Sequence, residues 1–471
     1  MTVPIDRLLA KSCRAGVTPV ASATLAGHIA DVLESVEAIL DATGPEQLKA
    51  LGLSPASHEA PFRSAVRLAA AIHDLGKAND HFQAAVRGEH SHVQGLRHEW
   101  VGYLLLTLSD LREWLSSHLE MPELFFLALW AMTGHHPAYG RLAPREPPSG
   151  ALPQIEVLCE HPDFLAALTV IEERLGLPQA PRIPAQTYSL RRLDPGNAYR
   201  QLQRALRDDT RRFERFTPSQ RRLLAACKAC LIAADVAGSA LPRELPASHD
   251  RQRWIGEVLS VQPDPQDLRS LVEERLQGQT LWGFQRALAD TEASSPPPRV
   301  TLVLAGCGSG KTAAAYLWAA SSAPRRRLFF CYPTTGTATE GFRGYLFDPE
   351  LARSRHGARL FHSRAAVDYT MVLGTPEDDD DGLRIESLRN WSVPLACCTA
   401  DTVLGLLHNH RRSLFAWPAM AQAAFVFDEI HAYDDRMFAT LLRLIDVMEG
   451  APILLMTAER EQGNRCRFGN S

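Results

Sequence analysis

The stretch AGCGSGKT at 305–312 constrains the fold of this chain more than any other. It follows the apolar run Val300–Leu304 and precedes the helical pattern Ala313–Ser321, the strand, glycine-rich loop and helix context that a phosphate-cradling loop needs. Backbone N–H groups of Gly308, Ser309, Gly310, Lys311 and Thr312 would wrap phosphates at a helix N-terminus. Lys311 would meet the β- and γ-phosphates of ATP, and the Thr312 hydroxyl would bind Mg²⁺. At the end of a second apolar strand, Ala424–Phe427, Asp428 would hold the Mg²⁺ through water and Glu429 would polarise the attacking water. Further short apolar runs at Leu328–Tyr332, Leu395–Thr399 and Ile453–Met456, with helical stretches between them, predict a parallel sheet covered on both faces.

The first half has a different texture. Up to about residue 245, apolar residues recur at three- and four-residue spacing with Gly/Pro breaks, as in Leu25–Leu40, Ser64–His73, Glu99–Leu108, Leu124–Met132, Tyr199–Phe213 and Ser219–Ala237. The expected fold class is therefore α plus α/β, an all-α bundle followed by a single parallel-sheet domain. The stretch Leu241–Gln279, rich in Pro, Gln and charge, reads as the connection, with a boundary near 255 and domains at 1–255 and 256–471. A chain of 471 residues is long enough for two or three domains.

Composition excludes little. A formal charge of −4 and a pI near 6.5 rule out a global basic field, but nucleases and motors can confine positive charge to grooves. Nine scattered cysteines and an N-terminus without an apolar core predict reduced thiols in a cytoplasm. The apolar run Leu124–Met132 is about half of a bilayer span, so no membrane segment is expected. Cys227 and Cys230 sit in an apolar helical pattern without a second pair, which favours core packing over zinc. The acidic run Glu377–Asp381 reads as a solvated loop.

The helical half also carries a candidate metal centre. His73 and Asp74 in AIHDLGK are accompanied by His28, His98, His135, His136 and Asp235. Imidazole and carboxylate suit first-row divalent ions such as Fe, Mn, Co, Ni or Zn, and a bundle can project them onto one point. On a helix His73 and Asp74 would point about 100° apart, letting Asp74 reach between two ions about 3.5–4 Å apart. Such a pair would clamp a phosphodiester and activate a bridging water. Lys77 is a candidate for stabilising phosphate or transition-state charge, with a structural ion pair as the alternative. His81, His90, His92 and His118 read as surface or hydrogen-bonded histidines instead.

DEIH at 428–431 resembles motif II of superfamily 2 helicases. Gln285 in WGFQRAL then resembles the adenine-reading glutamine, Tyr332–Thr335 motif Ia, Thr399–Thr402 motif Ib and Met456–Ala458 motif III. A His-Asp domain ahead of such a core is similar to the CRISPR-associated helicase-nuclease of type I interference systems, over about residues 20 to 458. The resemblance implies an HD bundle followed by a RecA-like domain, recruited by an RNA-guided surveillance complex to displaced single-stranded DNA. It also implies nicking by the HD site and ATP-driven 3′-to-5′ movement. Carried over by residue, it gives one ion to His28, His73, Asp74 and Asp235, and a second to Asp74, His98, His135 and His136.

The sequence stops directly after motif III, where Glu459 stands in place of the usual threonine. Motifs IV to VI of a second RecA-like domain are therefore not expected in this chain, which reads as a truncated, frame-shifted or split gene product. Nuclease activity is expected to survive, whereas unwinding would need a separate polypeptide carrying the second domain. Two other readings compete: an HD phosphohydrolase acting on nucleotides, and a catalytically idle remnant serving as an interaction module.

Overall fold

The computed structural model describes residues 6–12, 18–88, 93–136, 146–244, 250–290, 297–348, 353–361, 388 and 390–458. It falls into two compact units, one comprising residues 1–48 and 53–256, the other 257–471 with Lys49–Gly52. Glu377–Asp381, His90, His92 and Glu459–Ser471, all named above, lie outside the described residues.

The first unit is built from α1 (Leu25–Ala50), α2 (Pro55–Ile72), α3 (Asp80–Val86), α4 (His98–Leu105), α5 (Ser109–Ser116), α6 (Pro122–Thr133), α7 (Pro162–Leu175), α8 (Ala198–Glu214) and α9 (Pro218–Glu244). A short antiparallel pair, β1 (Gln154–Val157) and β2 (Gln186–Ser189), is added to what the sequence reads as all helix. Four-residue strands with mixed polarity leave too little period-2 signal to be read. Helices α2, α6 and α9 pack against one another as the centre of the unit. Their contact faces are rich in alanine, as in Ala65, Ala69, Ala70, Ala226, Ala233 and Ala234, which lets the backbones approach closely.

Helix α9 adds to the sequence reading. Its stretch Pro218–Leu241 is long and apolar enough to cross a bilayer, but most of it is buried as the core helix of the unit. Lys228 and Asp235 interrupt its apolar run, which is why Leu124–Met132 stood out instead. Cys227 and Cys230 are fully buried on this helix, and burial raises both thiol pKa values.

The supposed connection is itself helical: α10 (Arg251–Ser260), which spans the division between the units in sequence, and α11 (Pro265–Leu276), in the second unit, occupy most of it. Leu268, Leu271 and Val272, at helical spacing, put α11 in the core under α13 (Lys311–Ser322), together with α12 (Gly283–Ala289). The sheet is formed by β3 (Val300–Leu304), β4 (Arg327–Tyr332) and, beyond α14 (Thr335–Tyr345) and the small pair β5 (Phe347–Asp348) and β6 (Arg353–Ser354), by β7 (Arg359–Phe361), β8 (Leu395–Thr399), β9 (Ala423–Phe427) and β10 (Ile453–Thr457). Its order is β3-β10-β9-β4-β8-β7 and every pairing is parallel. β4, β8, β9 and β10 are buried along their whole length, which accounts for their near-continuous apolar sequences. The phosphate loop and Asp428 follow β3 and β9, so both lie at the carboxyl edge of the sheet, where ligands of such folds bind.

Candidate metal centre and nucleotide site

Two close backbone approaches assemble the metal-centre residues. α2 ends at Ile72, His73 is still helical, and Asp74 turns away at φ −115°, ψ 4° to start the 3₁₀ turn Leu75–Lys77. Asp74 is thus not on the helix with His73, as the simple 100° reading had it. Gly76 presses this turn onto α4 so closely that a Cβ there would lie 2.0 Å from the His98 carbonyl oxygen. Only glycine permits that contact, and it carries Asp74 to His98. On the other side, a Cβ on Gly238 would lie 2.7 Å from Val32, so α9 meets α1 one turn away from Asp235 and His28.

The donors that converge come from five places in the chain. Asp74 Oδ2 faces His28 Nε2 at 3.1 Å and His73 Nε2 at 3.3 Å, while Oδ1 faces His98 Nε2 at 3.3 Å and His135 Nε2 at 3.9 Å. Asp235 Oδ1 joins the first group at 3.3 Å from His28 Nε2, and His136 joins the second with its Nε2 3.0 Å from His98 Nε2. Donor atoms of His28, His73 and Asp235 lie within 4.8 Å of one another, as do those of His98, His135 and His136. One carboxylate stands between two such sets. Lys77 does not point to open space: its ammonium is 2.6 Å from Asp74 Oδ2 and donates to the Ala10 carbonyl at 3.0 Å.

The donor set fits divalent ions. His73 Nδ1 donates to the Ala70 carbonyl at 2.7 Å and His135 Nδ1 to that of Met132 at 2.5 Å, so in each neutral ring the proton is held on Nδ1 and the Nε2 lone pair faces the cluster. Among the described residues neither Asp74 oxygen has a partner in hydrogen-bonding geometry: the Lys77 ammonium stands by Oδ2, but Oδ1 faces only the imidazoles of His98 and His135. A buried carboxylate oxygen left this way is costly without a cation of its own. Burial lowers His98 and His135 to about 4 and holds His136 well below the ordinary histidine range. Burial, then the nearby Lys11, also lowers His28. For Asp74 burial acts the other way, but the charges of His73 and Lys77 outweigh it and keep the carboxyl well below its usual value. His73 alone is raised, the Asp74 carboxylate overcoming the effect of burial. At neutral pH His28, His98, His135 and His136 are therefore uncharged around an ionised Asp74 carboxylate, the protonation states that metal ligation needs, while His73 is the imidazole from which an arriving ion must displace a proton.

The nucleotide site is built differently. Gly308 and Gly310 adopt positive φ, and Gly310 caps the start of α13, whose first two residues are Lys311 and Thr312. Lys311 Nζ donates to the carbonyls of Ala305 and Gly306 at 3.1 and 3.3 Å and lies 3.5 Å from Glu429 Oε1. Gln285 is buried; its amide donates to the Gly310 carbonyl at 3.0 Å and its oxygen accepts from Trp282 N at 2.9 Å. The structure thus ties Gln285 to the loop backbone. Asp428 is pushed up to about 6 by burial and by the adjacent Glu429. Glu429 takes a left-handed backbone, φ 48°, and its Oε2 lies 3.2 Å from His431 Nδ1, which also reaches Thr457 Oγ1 at 3.1 Å.

Comparison with known proteins bears on both units. Residues 10–241 match the family model described as Cas3, HD domain. The chain is similar to a putative CRISPR-associated nuclease/helicase Cas3 of Myxococcus xanthus, with 43% identity over 465 residues, 96% of this chain and 59% of that protein. Residues 10–241 thus form a Cas3-family HD domain. A second family member, from Methanocaldococcus jannaschii, is 26% identical over 169 residues, 34% of this chain and 22% of that protein. In fold it is similar to T. fusca Cas3 bound to AMPPNP, with a TM-score of 0.52 and 21% identity over 97% of this chain and 50% of that one. The chain spans 59% of the length of the Myxococcus xanthus protein and 50% of the T. fusca one.

Three residues around the His/Asp cluster escaped the sequence reading. Ser239 Oγ donates to Asp235 Oδ1 at 3.3 Å, and its i, i+4 spacing from Asp235 on α9 was a readable signal. Glu99 is buried with Oε2 3.6 Å from His98 Nδ1, adjacent in sequence to the histidine it faces. The Ala10 carbonyl that holds Lys77 comes from a segment with no motif at all. His81, set aside from the ligand set, has both ring nitrogens engaged, one by Gly95 N and one by the Gln154 carbonyl.

Proposed function

We propose that this chain is a metal-dependent nuclease acting on single-stranded DNA in type I CRISPR interference, with an ATP- and Mg²⁺-binding superfamily 2 unit attached. The observation that carries the reading is Asp74, whose two carboxylate oxygens face separate sets of imidazoles. In this proposal residues 1–255 form the HD nuclease domain and 256–471 a first RecA-like domain, working in the cytoplasm with an RNA-guided surveillance complex as partner.

His28, His73, Asp74 and Asp235 would hold one transition-metal ion, and Asp74, His98, His135 and His136 the other. Such ions supply Lewis acidity toward a phosphodiester and a nucleophile at neutral pH. The protein's own contributions are separate from that. His73 and His135 are locked in one tautomer by carbonyls, Lys77 fixes the Asp74 carboxylate, and burial keeps bulk water away from the donors. Lys77 thereby acts as a positioning residue. In the second unit Lys311 and Thr312 would meet the triphosphate and its Mg²⁺, Asp428 would assist in holding that ion, and Glu429 would orient water. Gln285 would stiffen the loop.

The reading is tested by loading the full chain with Mn²⁺, Co²⁺ or Ni²⁺ and following a labelled circular single-stranded DNA. Linearisation and degradation without ATP are expected. Release of nucleosides from deoxynucleoside triphosphates with the circle left intact would replace this reading by nucleotide phosphohydrolysis.

A further inference from the structure

One face of α8 carries charge that neither site uses. Between Arg191 and Arg222 there are ten arginines and no lysine against four acidic residues, in a chain whose net charge is −4. Arg200, Arg204, Arg207, Arg211 and Arg215 recur at helical spacing and all five are exposed. At 3.6 residues per turn that spacing confines them to an arc of about 80° and spreads them over about 22 Å. Asp208 and Glu214 flank the stripe without breaking it.

The opposite face is packed. Tyr199 and Leu202 are buried, Tyr199 Oη donates to the Gly95 carbonyl at 2.7 Å, and Tyr103 Oη on α4 donates to the Asp209 carboxylate. Gly95 lies three residues before His98. The stripe therefore starts beside the segment that delivers a metal-centre imidazole.

A merely solvated helix face would mix charges, since like charges at i, i+4 repel and weaken the helix. Here successive arginines stand one turn apart. Among the described residues Arg204, Arg207 and Arg215 have no ion-pair partner, and the stripe's one ion pair, Arg211 with Asp208 at 3.5 Å, has side chains 73% and 77% exposed. Such a pair neutralises little.

We propose that the arginine stripe of α8 is a docking track for the sugar-phosphate backbone of single-stranded nucleic acid bound for the HD centre. This rests on the nuclease reading above. In-line guanidinium groups complement a polyphosphate, and the track needs no base contacts. A single strand is the form that fits, because the His28, Asp74 and His135 side chains are each only 1% exposed, a depth a stiff duplex cannot reach.

The test is the anisotropy of a fluorescein-labelled oligothymidylate titrated with the full chain in EDTA, over a range of salt. An R200Q/R204Q/R207Q/R211Q variant should bind at least about tenfold more weakly, its log K against log salt slope flatter by about 0.7 per lost phosphate contact. R204Q/R207Q should show part of that loss, which keeps the proposal testable if the fourfold variant fails to fold. R174Q/R182Q, which removes two exposed arginines elsewhere in the unit, should leave affinity and slope unchanged. Unchanged binding by the folded stripe variants would overturn the proposal and leave the stripe to an acidic protein surface. Equal losses in R174Q/R182Q, or an equal stripe dependence for duplex DNA, would also overturn it. Binding is read without metal, so failure of the nuclease reading would appear separately, in the cleavage assay.

Discussion

The candidate metal centre and the candidate nucleotide site solve the same problem, holding charge at a point, by opposite means. The nucleotide site is local: a loop of eight residues and a strand-end dyad supply it, and backbone geometry does most of the cradling. The metal centre draws on residues from His28 to Asp235, on several helices, and exists only because Gly76 and Gly238 let backbones touch. In the first, a side chain can be lost and the cradle persists. In the second every donor leans on the others, because His28, His73, Asp74, His98 and His135 are buried together, with His136 and Asp235 half-buried at the edge. Variants should therefore separate the two regions cleanly.

The largest effect is expected from Asp74→Asn. It removes the charge shared by both imidazole sets, and metal-supported cleavage of circular single-stranded DNA should fall on the order of 10³-fold. ATP binding, read with a fluorescent analogue, should stay at the wild-type level. If nucleotide affinity falls as well, the two regions are not independent.

Acid should distinguish them next. In chelator, His98 and His135 have folded pKa values near 4 against about 6.5 in the unfolded chain. Between those values the unfolded chain binds the protons and the folded chain does not, so stability falls as pH drops from about 6.5 toward 4. His73, held above its ordinary value, works in the opposite sense and reduces the loss. Urea melts should show the first unit losing on the order of a few kcal/mol across that window. Saturating Mn²⁺ should oppose the loss near neutral pH, where ligation competes with protonation.

Lys311→Ala should break the other side of the comparison. Loss of a charged donor to the phosphates should weaken ATP binding about 10- to 100-fold, while ATP-independent cleavage of the circle is unchanged. The smallest effect is expected from Ser239→Ala, which removes one hydrogen bond to Asp235. Metal affinity, followed by competition with a chelating dye, should drop about tenfold or less.

What could be read from the sequence follows from the same contrast. AGCGSGKT and FDEIH announce themselves because their chemistry lies along a few contiguous residues, and the apolar runs of β4, β8, β9 and β10 mark a sheet buried on both faces. The seven HD residues were also legible as a set, but not how they meet. The turn at Asp74, the crossing at Gly76 and the support from Ala10 depend on contacts between distant segments, and no local spacing encodes them. Helices α10 and α11 were hidden for another reason. Their polar faces outweigh five buried apolar residues in composition, Ile255 and Leu259 on α10 and Leu268, Leu271 and Val272 on α11, so the stretch looked like a connection. The arginine stripe of α8 was visible in the letters, yet its meaning depends on α8 packing beside α4.

The central claim is that one carboxylate joins two imidazole sets into a two-ion centre. Elemental analysis of the purified full chain, loaded with Mn²⁺ or Ni²⁺ and desalted, tests it most directly, with circular dichroism confirming that each variant is folded. The account expects two ions per wild-type chain, one lost from His28→Ala or from His98→Ala, and both weakened by Asp74→Asn. A single ion in the wild type, or an Asp74→Asn chain that keeps two, would contradict it.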